Sequence, residues 1–366
     1  MGDEPDMTIE SEPTERKLAT LEQVADLEPI EGADRIELAR IRGWEVVVGK
    51  GDFQVGDRCV YIEIDSLLDT SRPAFASLAA RGKRTDAIGR RGHVLKTVKL
   101  RGVYSQGIAY PITKFPPQEF PDLPDLSAAP IGSDLTAALG VVLWQPPLPV
   151  SMAGELIAFP GRVPKTDEER LQNIPQMLAV MDVTWVATEK IDGTSTTFAL
   201  DQDGFAVAGH NWGIAFNPEN ALWQLAEQYG IEAKLRDWAE AAGLASVAVQ
   251  GESYGEKIQG NPLKVRGLHW SAFNVIAEGR RLPRDQWPDF ALELSVPVIA
   301  DLVVPPTVAE ALEQANALAS LVNPAVRAEG IVWRSPSQSD VRLPDGTVET
   351  ASFKVVSNRY LLKHDR

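Results

Sequence analysis

The sequence predicts an α+β chain in two parts: a small β-barrel first, then a larger region of antiparallel sheet with helices packed on it. Three observations carry this. Short alternating runs separated by tight turns fill residues 17–115. Nine of the 26 prolines fall between Pro111 and Pro149, a density that excludes continuous helix or central strand there. Beyond them, strand-like runs follow one another through hairpins and irregular loops more often than through single crossover helices. At 366 residues and 44% hydrophobic content, the chain is long enough for two domains, each with its own core.

Taken in order, residues 1–16 carry Asp3, Glu4, Asp6, Glu10, Glu12 and Glu15 with almost no large apolar side chains. Such a stretch cannot bury enough surface to order itself, so a disordered acidic tail is expected, and Met7 within it is an alternative start of translation. Five strands then read as residues 35–41, 44–48, 58–64, 93–100 and 106–112. Five short strands with tight turns suggest an OB-like barrel over 17–115, although other small barrels would read the same way. Residues 116–165 read as a proline-rich linker and connecting segment.

The second part, 166–366, opens with a strand over 184–190 and a hairpin whose arms, 195–200 and 205–209, flank Asp201-Gln202-Asp203-Gly204. A helix follows from about Glu219, and another from Ile231 to Ala242 is stopped by Gly243. Strands recur at 246–252, 270–276, 329–334 and 351–356, with an Ala/Leu-rich helix near 308–321. No internal repeat is present.

Composition excludes several classes. No run approaches the roughly 20 apolar residues that cross a bilayer, and the N-terminus lacks a basic start with an apolar run, so a cytoplasmic protein without membrane partner is expected. Cys59 is the one cysteine and the four histidines are scattered, which leaves neither an internal disulfide nor a zinc-ligand pattern. A net charge of −15 argues, taken alone, against a polyanionic partner. Between Arg81 and Arg101, however, eight basic residues face one acid, a local charge of +7. That window is either a nucleic-acid patch or a solvated loop and strand edge.

The central chemical signal is Glu189-Lys190-Ile191-Asp192-Gly193, at a strand end entering a turn. Alone it is weak, because such a match arises by chance in roughly one chain in ten of this length. Four further segments in order raise it: Gln250-Gly251-Glu252, Trp270-Ser271-Ala272-Phe273, Glu329-Gly330-Ile331 and Ser352-Phe353-Lys354, while Gly209-His210-Asn211-Trp212 lies between the hairpin and the first of them. The stretch 251–257 superficially suggests a phosphate-binding loop but lacks the required spacing. A lysine nucleophile must lose its proton near neutral pH, which a dry pocket or a neighbouring cation such as Lys354 promotes.

From about residue 185 to 357 this pattern resembles the covalent nucleotidyltransferase superfamily of ligases and capping enzymes. The resemblance implies that 166–366 is an adenylyltransferase domain in which Lys190 becomes covalently linked to AMP. Lys190, Lys354 and Asp192 would be its catalytic residues, with Lys354 at the ATP α-phosphate. ATP would be bound by Glu189, Lys190, Gly193, Asn211, Glu252, Phe273 and Lys354, with Glu252 at the ribose and Phe273 against adenine. Glu329 and Asp192 would take Mg²⁺ or Mn²⁺, hard cations suited to oxygen ligands. The sequence departs from the superfamily at His210, where a fixed cation is usual, and at Val356, where a second lysine is frequent.

DNA ligases and capping enzymes continue past the last motif into a further domain, whereas twelve residues follow Lys354 here. A barrel placed first, with segments 32–37, 43–48 and 99–107, is similar to the Deinococcus-type RNA ligase over nearly the whole chain from about Arg16. This implies an ATP-dependent RNA ligase that seals 3′-OH/5′-phosphate nicks in an RNA or RNA/DNA duplex, with RNA at the 3′-OH side. Lys96, Lys99 and Arg101 of the barrel would hold the nucleic acid, and no protein partner is implied. The rivals are a DNA ligase or other end-modifying nucleotidyltransferase, and a non-catalytic RNA-binding protein.

Overall fold

The computed structural model describes residues 16–86, 88–145, 156–164, 168–180 and 182–364. The acidic tail, Arg16 apart, lies outside them. The architecture is the expected α+β one: a five-stranded antiparallel barrel sheet, then two antiparallel sheets with helices.

The barrel strands run in the order Ile108–Pro111, Arg58–Ile62, Ala19–Pro29, Ile36–Ile41 and Trp44–Gly49. The curl closes where the Gln106 N–H donates to the Glu45 carbonyl at 2.8 Å. Two expectations need correction. The central strand, Ala19–Pro29, is not among the five read from sequence, because its Leu21, Val24 and Leu27 fall three apart rather than alternating and Glu22 points inward. Glu22 is tolerated there because Arg42 makes an ion pair with it. The stretch 93–100 is not one barrel strand. Arg91–Val94 pairs with Ser66–Leu68 in a second sheet, while Val98–Leu100 forms a separate hairpin with Val103–Ser105. The prolines of 116–145 do interrupt regular structure, but Phe115, Phe120, Leu126 and Leu139 pack into the barrel core with Leu21 and Val60.

The larger sheet has seven strands, with Thr194–Asp201, Val247–Gly255 and Leu268–Ala277 at its centre. Helices Ala221–Gln228 and Ile231–Ala242 cover one face. Asn220 caps the first by accepting from the Leu222 N–H at 2.9 Å, and Gly243, left-handed at φ 65°, ends the second. Leu222, Leu225, Ile231 and Leu235 are fully buried against Phe198 and Trp270, each contributing about 1.5–3 kcal/mol over an exposed side chain.

A three-stranded sheet of Val186–Lys190, Gly330–Arg334 and Ser352–Val356 stands beside it. The Val308–Ala317 helix packs Ala311, Leu312 and Ala315 on its inner face, capped by Thr307, whose hydroxyl accepts from the Glu310 N–H at 3.2 Å.

Residues 169–173 join the two halves of the molecule. On one side, the Lys354 N–H donates to the Glu169 carbonyl (2.8 Å) and the Leu171 N–H to the Lys354 carbonyl (3.0 Å). On the other, the Gly43 N–H donates to the Gln172 carbonyl (3.1 Å), and the Trp44 indole to Asn173 (2.6 Å). A Cβ at Gly43 would lie 2.7 Å from the Gln172 Cα, so only glycine allows this approach. Arg170 also reaches back to Asp65 of the barrel half at 3.1 Å. The barrel is therefore seated directly behind the Lys354 strand.

Candidate active site

The Lys190-Ile191-Asp192-Gly193 segment is the crossover between the two catalytic sheets. The strand ending at Lys190 belongs to the three-stranded sheet, and the strand beginning at Thr194 to the seven-stranded one. The crossover is tight: a Cβ on Gly193 would sit 2.1 Å from the Ser253 carbonyl and 3.1 Å from the Glu252 Cγ. Gly193 is thus required by close packing against the strand that carries Glu252. From the adjoining loop, Gln259 donates to the Gly193 carbonyl at 2.9 Å.

Strand alternation then sorts the side chains. In the three-stranded sheet Thr188 pairs with Val332, and Val332 with Lys354, while Lys190 pairs with Gly330. Ala187, Ile331, Trp333, Phe353 and Val355 face the helix side and are buried. The opposite face turns Lys190, Arg334 and Lys354 toward a cavity between the sheets, which Glu252, Phe273 and His210 also line.

Lys190 Nζ donates to Glu329 Oε2 at 2.7 Å. Burial works against the lysine's charge, but Glu329, Glu252 and Asp192 outweigh it and hold the amine above its usual range. The expectation that Lys354 keeps Lys190 deprotonated is therefore corrected for this state: three carboxylates surround the amine, and Lys354 acts on Glu329 and Asp65. Glu329 is pushed up by burial and by Asp192, against the pull of Lys190. Glu252 is pushed up to about 8, first by burial, with Lys190 opposing and Glu329 and Asp192 reinforcing.

The Glu252 shift has a measurable consequence. Its folded-state value lies above the ordinary glutamate value of 4.5, so its contribution to stability is full below that pH and is lost as pH rises through about 8. The melting temperature of ligand-free protein is expected to fall between about pH 5 and pH 8, and Glu252→Gln to flatten that slope. A slope unchanged in Glu252→Gln would contradict the assignment.

Other residues named from sequence are placed differently. Glu189 lines the cavity, yet its carboxylate lies on the helix face and accepts from the Leu321 N–H at 2.6 Å and the Val322 N–H at 3.4 Å. Phe273 forms part of the wall, packed with Ile191, Tyr254 and Val296. His210 reaches the cavity from the Gly209–Trp212 turn, whereas Asn211 does not line it. Asp192 turns to the C-terminal helix and accepts from the Tyr360 hydroxyl at 2.6 Å. Lys96 is pinned beside Asp65 at 3.7 Å and over the Trp144 ring, while Lys99 and Arg101 stand exposed on the Val98–Ser105 hairpin.

Two wall residues had no signal in the sequence. Glu168 binds Arg334 and Ser352 and lies 3.6 Å from Arg281. Burial opposes its charge, but the two guanidiniums hold it down at about 2. Arg334 also donates to the Phe273 carbonyl, so one guanidinium fastens the aromatic wall to the three-stranded sheet.

Among the described residues no group of three or more histidine, cysteine, aspartate or glutamate side chains could hold a metal by itself. No helix of the described residues is long and apolar enough to cross a membrane.

Comparisons with known proteins agree with this geometry. A family model described as RNA ligase matches residues 183–356, and an OB-fold domain model matches 18–112. Naegleria gruberi RNA ligase solved with PPi is 34% identical, the match covering 96% of this chain and 100% of that one at a TM-score of 0.80. A lysine-to-alanine mutant of the same ligase, with ATP and Mn, is 33% identical over 95% of this chain and 99% of that one, again at 0.80. A glutamate-to-alanine mutant with AMP and Mn is 33% identical over 96% and 99%, at 0.80. A search of curated proteins found no match. At this identity and coverage, the chain belongs to the RNA ligase family.

Proposed function

We propose that this ligase seals 3′-OH/5′-phosphate nicks in RNA or RNA/DNA duplexes, with RNA at the 3′-OH side, in the manner of the Deinococcus-type enzymes. It is an ATP-dependent enzyme that uses a divalent cation, Mg²⁺ or Mn²⁺. The observation that carries the reading is the convergence of Lys190, Glu252, Phe273 and Lys354 on one cavity between the sheets.

In the first step the Lys190 amine attacks the ATP α-phosphorus: an N–P bond forms, the bond to the bridging oxygen breaks, and pyrophosphate leaves. AMP then passes to the 5′-phosphate of the nick, freeing Lys190. Finally the 3′-OH attacks that phosphate and AMP departs. Phe273 stacks on adenine, Glu252 accepts from the ribose, and Lys354 stabilises charge developing on the α-phosphate. Before the first step Lys190 must give up the proton that Glu329, 2.7 Å away, holds on the amine together with Glu252 and Asp192, so the Glu329 charge has to be engaged elsewhere first.

Glu329 and Asp192 supply hard oxygen donors, but too few for a protein-only cage. That fits a cation that takes one or two carboxylates and completes its shell with substrate phosphate and water. Held by Glu329 and Asp192, such a cation would offset triphosphate charge and would draw the Glu329 carboxylate away from the Lys190 amine.

Exposed Lys99 and Arg101 on the hairpin, and exposed Arg84 and Arg91 on the second sheet, supply cations for the duplex. A ribose requirement at the 3′ end fits a protein that senses the 2′-OH and A-form shape. Cytoplasmic RNA repair belongs to the same reading. The test is a competition between labelled nicks ending in a 3′-ribonucleotide and all-DNA nicks, and at least about tenfold preference for the ribonucleotide is expected. Equal sealing would favour a DNA ligase, and binding without sealing a non-catalytic role.

A further inference from the structure

Tyr360 lies on the C-terminal helix, Asn358–His364, outside every motif that points to nucleotide chemistry. The residue is 6% exposed, and its ring stacks on His364, with centroids 4.3 Å apart. Its hydroxyl donates to Asp192 Oδ2 at 2.6 Å. Asp192 sits in the crossover between two sheets, so its carboxylate direction is not set by either ladder.

The helix is anchored at both acids. The Ser357 N–H donates to the Glu329 carbonyl at 2.8 Å, and the Ser357 hydroxyl and the Arg359 N–H both reach Asn316, at 2.9 and 3.1 Å. The residue after Tyr360, Leu361, packs against the barrel cluster that contains Trp44 and Tyr61. One short helix therefore holds the Asp192 side chain, the Glu329 backbone and the rim of the barrel core.

We propose that Tyr360 is a positioning residue for Asp192: its phenol fixes one carboxylate oxygen so that the other is presented, with Glu329, to a divalent cation. The inference rests on the ligase reading above. Hydrogen-bond partners of metal-binding side chains typically change metal affinity by about 10–100-fold when removed. Through Leu361, the same helix makes this hold depend on how the barrel is seated.

The experiment measures ATP binding by the full-length Lys190→Ala protein, in which no adduct can form, across a Mn²⁺ titration, with and without Tyr360→Phe. Tyr360→Phe is expected to raise the Mn²⁺ concentration for half-maximal effect about tenfold, leaving metal-free ATP binding and the melting temperature close to the parent's. Leu361→Ala is expected to move it in the same direction by less. An unchanged Mn²⁺ requirement in Tyr360→Phe, or an equal loss of ATP binding with and without metal, would overturn the proposal. If the Lys190→Ala parent shows no metal-dependent ATP binding while the wild type forms no AMP adduct, the ligase reading itself falls, and the proposal with it.

Discussion

Lys190→Ala protein incubated with ATP and Mn²⁺ or Mg²⁺ will gain no mass, whereas the wild type will gain one AMP. The expected loss of adduct formation is at least about 10⁴-fold, the scale observed when a covalent nucleophile is removed from an enzyme whose other groups act only through it. The geometry gives no substitute. Lys354 shares the cavity, but it stands across the three-stranded sheet, two strands away from Lys190. Intact mass spectrometry reads the result directly, and Lys190→Arg keeps a charge beside Glu329 as a control for folding. An adduct of equal yield on Lys190→Ala would place the nucleophile elsewhere, and Lys354 would be the first residue to examine.

Lys354→Met is the second large effect. Its charge is the cation opposite Lys190 in the cavity, and it also acts on Glu329 and on Asp65 behind it. Without it, charge developing on the α-phosphate loses a fixed partner in a dry site, a loss of about 10²–10³-fold in the adenylylation rate. The backbone of residue 354 stays bonded to Glu169 and Leu171 and keeps its register opposite Val332, so the strand should persist. Single-turnover adduct formation followed by mass, beside a thermal melt, separates the two effects. A rate within threefold of wild type in folded Lys354→Met protein would remove the α-phosphate role, and Lys354→Arg should retain much of the rate.

Much of this protein was readable in advance because its signals are local. The hairpin arms, the Ile231–Ala242 helix with its Gly243 stop, the strands carrying Glu252, Phe273 and Lys354, and the strand that Glu329 precedes all follow from short-range periodicity and turn chemistry. The resemblance groups Glu189 with Lys190 as an ATP-binding residue, whereas neighbours in the Val186–Lys190 strand face opposite ways and the Glu189 carboxylate binds the Leu321 and Val322 N–H groups. The Ala19–Pro29 strand escaped because its inward Glu22 is made acceptable by Arg42, a residue of another strand. No local pattern encodes a distant partner.

By itself, then, the sequence determined most of the elements of the second part, their order, and the chemical types on offer: a lysine at a strand end before Asp192 and Gly193, Glu252 on one strand and Glu329 just before another, and a basic window in an acidic chain. The tertiary structure decided which of them meet. It made Lys190–Gly193 the bridge between two sheets, set three carboxylates around one amine, bound Glu168 to Arg334, and brought Tyr360 onto Asp192 from 168 residues away. The reason is physical. Periodicity and capping act over a few residues, whereas the proton affinity of Lys190 and the orientation of Asp192 depend on desolvation and on charges that only folding brings within reach.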